Sequence, residues 1–121
     1  MRAKPRRSIF AALAVGSLVA VGCGPKEVTP TVDCSAVTVP RYSELTIWRG
    51  CVGCHASTAT GGARHNAPSG VNFDSVVAAT ASAAKAAAAV NGGLMPPANE
   101  AQPTEDQKLA LYAWALCGTP N

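Results

Sequence analysis

The hydrophobic and polar positions of the chain form their clearest helical pattern near the C-terminus. Apolar residues there recur at the three- and four-residue spacing of one helix face; they are Leu109, Tyr112, Ala113 and Leu116. Residues 104–107 (TEDQ) match a capping box and put acidic side chains at the positive end of a helix. Gly118 and Pro120 end the pattern. We therefore predict a C-terminal helix between these two signals.

A second segment predicts a helix by composition rather than by an apolar face. Residues 75–90 (SVVAATASAAKAAAAV) have high helix propensity, with Asp74 as a good N-cap and residues 91–93 (NGG) as a typical end. Alanine side chains have too little volume to fill a core, although they let another backbone or a flat group approach closely. We therefore predict a helix over residues 75–90 that packs closely without filling a core.

A further helix is predicted before the cysteine-rich centre of the chain. Ser43 can cap it, with Glu44 in the first turn. Its apolar side consists of Leu45, Ile47, Trp48 and Cys51. Residues 56–70 are rich in Gly, Ala, Ser, Thr and Asn and have no hydrophobic period, so we predict a loop. Because no segment has the pattern of a strand, the fold class is expected to be all-α, with about three main helices.

Residues 1–22 have the pattern of an export signal rather than of a folded element. Their basic start consists of Arg2, Lys4, Arg6 and Arg7. Residues 9–21 then form an apolar segment that is shorter than the ~20 residues needed to span a bilayer. We therefore expect residues 1–22 to be absent from the mature protein.

Residues 18–23 (LVAVGC) resemble a bacterial lipobox, in which the cysteine becomes the lipid-bearing first residue. Cys23 is then the lipidation site, and plain cleavage with secretion is the alternative. Residues 24–33 contain prolines and no hydrophobic period, which is typical of a flexible tether. We expect a periplasmic protein anchored by lipid to a membrane, with the outer membrane favoured because Gly24 rather than Asp follows Cys23. A soluble periplasmic or secreted protein is the alternative.

Removal of the signal changes the charge balance. The full chain has a formal net charge of +3, but four of its ten Lys and Arg lie in the first seven residues. The remaining six stand against seven Asp and Glu, which gives a formal charge of −1. Basic and aromatic residues do not cluster in this part, so nucleic-acid binding has no support.

The pentapeptide at residues 51–55 (CVGCH) is the strongest chemical signal in the chain. C-x-x-C-H is the attachment signature of c-type haem. Cys51 and Cys54 would form thioethers with the porphyrin vinyl groups, and His55 would bind the iron. The alternatives are a thiol–disulfide site, which usually lies near a βαβ pattern, and half of a zinc site, for which only His65 and two distant cysteines remain. One covalently bound haem c is therefore the expected cofactor.

Met95 is the expected second iron ligand. Once Met1 is lost with the signal it is the only methionine, and it lies in residues 92–97 (GGLMPP), about 40 residues after His55. A lone methionine is more often a core gap-filler, but this one is flanked by glycines and prolines between two predicted helices. His65 is the rival ligand; it lies ten residues past His55 in a polar loop, where a surface histidine is the alternative interpretation.

The mature chain has few large side chains with which to build a core. About 99 residues remain (121 − 22), and their aromatic residues are Tyr42, Trp48, Phe73, Tyr112 and Trp114. Burial of apolar surface is marginal in this size range. A haem would supply the missing apolar surface, so we expect the protein without it to be poorly folded.

Cys34 and Cys117 are the cysteines that lipid and haem leave over. In an exported chain such a pair indicates a disulfide, which here closes a loop of about 80 residues and contributes about 2 to 4 kcal/mol. Two separate buried thiols are the alternative.

Together these residues resemble a class I monohaem cytochrome c over residues 41–118 or so. That family has a helix leading into CxxCH, a G-x-M-P-type loop and a C-terminal helix that crosses the first. The resemblance implies a small cytochrome c fold around one haem with His55 and Met95 as axial ligands. It also implies a proline carbonyl that accepts the Nδ1 proton of the histidine, for which Pro68 is the candidate.

The resemblance implies one-electron transfer by a monomer that meets redox partner proteins, with no catalytic residues. Two other functions stay open. A haem enzyme or gas sensor would result if Met95 left the iron, and a thiol–disulfide module would use Cys51 and Cys54 without haem. The absence of a visible triad or paired acid–base site in the sequence favours electron transfer.

Overall fold

The structure is a computed structural model that describes residues 24–121; the predicted signal 1–22 and the predicted lipidation site Cys23 lie outside the described residues. The described part has four α-helices: α1 (Trp48–Cys51), α2 (Val76–Ala81), α3 (Ala83–Asn91) and α4 (Glu105–Leu116). Two 3₁₀ turns lie at Tyr42–Glu44 and Gly61–Arg64. Because residues 24–121 contain no strand, the all-α class is confirmed for this part. None of the helices within residues 24–121 is both long and apolar enough to cross a membrane.

Helix α4 begins at its predicted capping box. The Thr104 hydroxyl accepts the Gln107 N–H at 3.2 Å, and the Gln107 side chain accepts the Thr104 N–H at 2.9 Å. The predicted apolar face is only partly right, because Leu109 is 62% exposed. Trp114, the largest side chain of the helix, is fully buried and lies roughly 140° around the helix from Leu109. Burial of the tryptophan therefore turns Leu109 towards solvent.

The alanine-rich segment forms two helices rather than the single predicted one. Ser82 separates α2 from α3 with φ −116° and ψ 10°. The N-cap of α2 is Ser75, whose hydroxyl accepts a helix N–H at 3.3 Å, and not Asp74 as predicted. The Asp74 carboxylate instead accepts the backbone N–H of Ser57 at 2.9 Å and its hydroxyl at 2.6 Å. Asp74 is therefore hydrogen-bonded to Ser57 in the preceding loop instead of capping a helix.

The first predicted helix is much shorter than expected. Only α1 and the 3₁₀ turn before it are helical, and Ser43 lies inside that turn rather than at an N-cap. Tyr42 is bonded to distant parts of the chain: its N–H donates to the Pro120 carbonyl at 2.9 Å and its hydroxyl to the Phe73 carbonyl at 2.7 Å. These bonds set the backbone at this point in place of a continuous helix.

Aromatic side chains connect α1 to α4. Trp48 stacks on Phe73 with ring centres 5.1 Å apart and meets Trp114 edge to face at 5.5 Å. Tyr42 packs against both tryptophans, with ring centres at 5.8 and 6.1 Å. Such pairs contribute about 0.5–1.5 kcal/mol each beyond their burial. The cluster therefore joins α1 to α4 directly before the cysteine motif.

Cys34 and Cys117 form the predicted disulfide, with Cα atoms 5.5 Å apart and a sequence separation of 83. The C-terminus is held further by Pro120, whose carbonyl accepts the N–H of Tyr42 and the indole N–H of Trp114, each at 2.9 Å. Both ends of the folded domain are therefore tied together.

Residues 26–28 lie against the end of α3 and do not form the free tether that the sequence predicted. The Val28 N–H donates to the Ala88 carbonyl at 3.0 Å, and the Asn91 side chain donates to the Val28 carbonyl at 2.8 Å. A Cβ on Gly92 would overlap the carbonyl of Lys26, so this close approach requires glycine. We call residues 26–28 the strap. Residues 26–28 are therefore packed against the folded domain.

Candidate functional site

The cysteine motif continues directly from α1. The N–H groups of His55 and Cys54 donate to the Cys51 carbonyl at 2.9 and 3.3 Å, so the backbone keeps a helical turn as far as the histidine. Residues three and four positions apart share one side of a helical turn. Cys51, Cys54 and His55 therefore lie on one side of this segment, and all three line the same cavity.

The two thiols of the motif are free and partly buried. Burial raises the pKa of the Cys51 thiol to about 11. Because the thiolate is the reacting form, a thiol with a raised pKa is a weak nucleophile at neutral pH. At Cys51 the site therefore lacks the lowered pKa that is typical of thiol–disulfide catalysts.

The imidazole of His55 is buried and oriented, with 8% of the residue exposed. Its Nδ1 lies 2.9 Å from the Val71 carbonyl oxygen, which leaves the lone pair on Nε2. The prediction that Pro68 supplies this carbonyl is wrong, because the Pro68 carbonyl accepts a guanidinium N–H of Arg64 and the N–H of Val71 within the loop. Phe73 packs beside the ring at 5.2 Å between ring centres. Nε2 is therefore the ring nitrogen of His55 that could hold a metal ion.

A cavity of about 670 Å³ lies beside the motif. Its volume is within the range of about 300–1,000 Å³ that is usual for ligand sites. Besides the motif residues, the lining includes Met95, Leu111 of α4 and the aromatic side chains of Trp48 and Phe73. Met95 is 38% exposed, so it lies at the rim. The four residues predicted to hold the cofactor therefore line one cavity.

The loop that carries Met95 is fastened to the end of α3. The N–H groups of Leu94 and Met95 both donate to the Ala89 carbonyl, at 2.9 and 3.2 Å. Gly93 has φ +74°, a conformation that favours glycine. Ala86 and Ala89 of α3 line the cavity. Their small side chains allow a flat group to come close to this helix.

His65, the rival ligand, also lines the cavity. Its side chain is exposed, and its backbone is left-handed with φ 47°, as is that of Asn66 with φ 68°. Met95 and His65 therefore both line this cavity.

Arg64 is a residue of the site that the sequence prediction missed. It is 7% exposed and lines the cavity, with its guanidinium among the carbonyl groups of the loop after the motif. Hydrophobic periodicity could not identify Arg64 as a site residue, because residues 56–70 have no such periodicity. The available signal was charge: Arg64 is the only Lys, Arg, Asp or Glu in residues 55–73.

The other charged side chains around the cavity have mixed signs. They are Glu27, Arg49, Lys85 and Glu100. Within the described part of the chain the only ion pair is Lys108–Glu105 on α4, at 2.7 Å. Residues 24–121 contain no group of three or more His, Cys, Asp or Glu that could hold a metal ion. The charged lining of the cavity is therefore neither uniformly acidic nor uniformly basic.

Comparisons of the chain with protein-family models, with curated proteins and with solved structures find no match. Two thiols three positions apart, an imidazole with its Nδ1 bonded and a thioether at the rim line the cavity. This donor set fits a haem held by two thioethers and two axial ligands.

Proposed function

We propose that this protein is a one-electron carrier of the c-type cytochrome class, with one haem bound covalently at Cys51 and Cys54. The observation that carries the proposal is that these thiols, His55 and Met95 line one cavity of about 670 Å³. The methionine lies 40 residues after the histidine, so only the fold could bring them to the same cavity.

Each residue has a distinct role in the proposal. Thioether bonds at Cys51 and Cys54 would keep the cofactor from dissociating, and the Nε2 of His55 and the sulfur of Met95 would bind its iron. The haem supplies the change between two iron valences, and a Met/His pair raises its reduction potential. With His55 and Met95 both bound to the iron, small molecules would find no vacant site.

The surrounding residues keep the ligands in place. Val71 orients His55 through its carbonyl, and Ala89 fastens the loop of Met95 through two accepted N–H groups. The aromatic cluster behind α1 fixes the backbone that precedes Cys51. Fixed ligands keep the rearrangement between the two valences small, which suits electron transfer.

We also propose that the all-α fold is the small cytochrome c fold. The support is the order of its parts: α1 runs into CVGCH, a methionine loop follows α3, and α4 packs back towards α1. The edge-to-face contact of Trp48 with Trp114, at 5.5 Å, joins the first and last helices.

The proposed location is the periplasmic side of a bacterial membrane, with lipid on Cys23 and redox proteins as partners. The Cys34–Cys117 disulfide supports an oxidising compartment. Intact mass spectrometry tests the anchor, because the mature chain should begin at Cys23 and carry acyl mass. A chain that begins elsewhere would contradict the anchor and leave the haem proposal unchanged.

A haem enzyme or gas sensor is the second candidate function. The observation in its favour is that Met95 is 38% exposed on a loop, from which a thioether can leave the iron. A thiol–disulfide module has less support, because burial raises the pKa of the Cys51 thiol to about 11.

The absorption spectrum of the purified protein separates these functions. For the carrier we expect low-spin c-type bands, the methionine-to-iron charge-transfer band and no binding of carbon monoxide. High-spin iron, or carbon monoxide binding in the native protein, would favour the enzyme or sensor, and low-spin iron without the charge-transfer band would favour His65. Protein without haem after expression with a haem-attachment system would contradict the proposed function.

A further inference from the structure

Arg64 uses all of its hydrogen-bonding capacity on one loop. A guanidinium has five N–H donors, and the side chain makes five hydrogen bonds, all to backbone carbonyls. The acceptors are Ala56 at 2.7 Å, Ala59 at 3.3 Å, Ala67 at 3.0 Å, Pro68 at 2.5 Å and Val71 at 3.1 Å. The guanidinium therefore replaces a hydrophobic core for residues 56–71.

The charge of Arg64 is buried without an ionic partner among residues 24–121. No carboxylate lies within salt-bridge distance of the guanidinium in this part, where the only pair is Lys108–Glu105. Asp74 is near enough for Arg64 to contribute to the lowered pKa of its carboxyl, after the larger effect of the Ser57 hydrogen bonds. Carbonyl dipoles thus stabilise the buried charge, and its field is little screened by water.

One of the five carbonyls belongs to the residue that orients His55. The Val71 oxygen accepts from Arg64 Nη2 at 3.1 Å and lies 2.9 Å from His55 Nδ1. A carbonyl oxygen has two lone pairs and can accept both N–H groups. The cation and the imidazole therefore share one acceptor.

Because Arg64 bonds the same oxygen, the Val71 carbonyl is a weaker hydrogen-bond acceptor for the imidazole of His55. A carbonyl that bonds a cation has less electron density to offer a second donor, so the Nδ1–H of His55 is held by a poorer acceptor. Because a good acceptor at Nδ1 raises the basicity of a metal-binding histidine, a poorer one lowers it. A less basic ligand and a nearby positive charge both favour the reduced, ferrous state of the iron.

We propose that Arg64 is a positioning residue that raises the reduction potential of the bound haem, by fixing the Val71 carbonyl and by withdrawing electron density from it. This inference rests on the proposed function, since it needs haem at the CVGCH motif. It adds a determinant of the potential that lies in the loop rather than among the iron ligands.

The test compares Arg64→Gln with Arg49→Gln in the haem-loaded protein. Both substitutions remove one positive charge from the lining of the same cavity, but Arg49 is exposed and only Arg64 bonds the Val71 carbonyl. For Arg64→Gln we expect a more negative midpoint potential and a downfield shift of the His55 ring Nδ1–H proton in the reduced protein. For Arg49→Gln we expect an unchanged ring proton and a smaller change of potential.

Arg64→Lys provides a second measurement if the glutamine variant does not accumulate. Lysine keeps the charge but cannot bond all five carbonyls, so the ring proton should still move downfield while the potential falls less. An unchanged ring proton in the folded Arg64 variants, with a potential no lower than that of Arg49→Gln, would overturn the inference. Wild-type protein that binds no haem would instead overturn the proposed function, so the two failures are distinguishable.

Discussion

Gly92→Ala should destabilise the protein, although alanine normally stabilises a site of this backbone conformation. Gly92 has φ −82° and ψ −2°, which alanine adopts easily. In open space such a change gains about 0.4–1 kcal/mol, because the unfolded chain loses freedom. The strap turns this gain in stability into a loss, since the new Cβ would overlap the Lys26 carbonyl and come within 3.1 Å of the Val28 nitrogen.

The size of the loss follows from the bonds that hold the strap. Displacement of residues 26–28 breaks the Val28 N–H bond to Ala88 and the Asn91 bond to the Val28 carbonyl. At about 1 kcal/mol each, these bonds contribute about 2 kcal/mol. After the gain from alanine is subtracted, we expect a net loss of about 1 kcal/mol, or a fall in Tm of about 4–8 °C.

Thermal unfolding followed by circular dichroism measures this loss, and hydrogen exchange of the Val28 amide reports whether the strap has detached. Gly62→Ala is the matched control, because a Cβ at that position meets no other atom within 4 Å and the variant should be as stable as wild type or slightly more so. A Gly92→Ala protein that is stabilised like the control, with the Val28 amide still protected, would refute the packing of the strap on α3.

Three further predictions follow from other contacts. Met95→Ala should lower the reduction potential and permit carbon monoxide binding, because it opens the sixth iron site; unchanged low-spin spectra would point to His65. Cys34→Ser with Cys117→Ser should lower the free energy of unfolding by about 4 kcal/mol in urea denaturation, since the disulfide joins cysteines that are 83 positions apart in sequence; a loss below about 1 kcal/mol would contradict this. Hydrogen bonds from Ser57 lower the pKa of Asp74. The stability that Asp74 contributes to the folded protein is therefore present above the ordinary pKa near 4 and disappears as pH falls through the lowered pKa. The stability gap between wild type and Asp74→Asn should therefore close in acid, and a gap that is constant with pH would count against the Ser57 bonds.

Local signals in the sequence predicted the parts of the fold that depend on neighbouring residues. Helix α4 begins at the capping box of Thr104, and α3 ends at Asn91 before the paired glycines. Both ends are set by hydrogen bonds or backbone freedom within a few residues. Such features can be read directly from a short segment.

Competition with distant partners explains the predictions that were wrong. Asp74 has the chemistry of an N-cap, but Ser57 supplies two donors to its carboxylate and Ser75 caps the helix instead. Leu109 fits the apolar period of α4, but burial of Trp114 sets the rotation of the helix. Neither outcome could be predicted from the segment alone, because the deciding contact lies elsewhere in the fold.

The sequence predicted which chemical groups line the candidate site, but not the hydrogen bonds that hold those groups in place. Cys51, Cys54, His55 and Met95 do line one cavity, while their roles stay a prediction. The acceptor for His55 proved to be Val71, because the path of residues 56–71 is set by Arg64 and not by any periodic pattern. The pattern of hydrophobic residues does not predict a loop that is organised around one buried polar side chain.

Covalent attachment of haem to the CVGCH motif is the central claim, and intact mass after acid-acetone extraction tests it most directly. Wild-type protein made with a haem-attachment system should keep the mass of one haem through the extraction. The variant with both Cys51→Ala and Cys54→Ala should lose it, while Cys34→Ser with Cys117→Ser should retain it as the cysteine control. Wild-type protein that carries no covalent haem, or a double alanine variant that still carries it, would contradict the account.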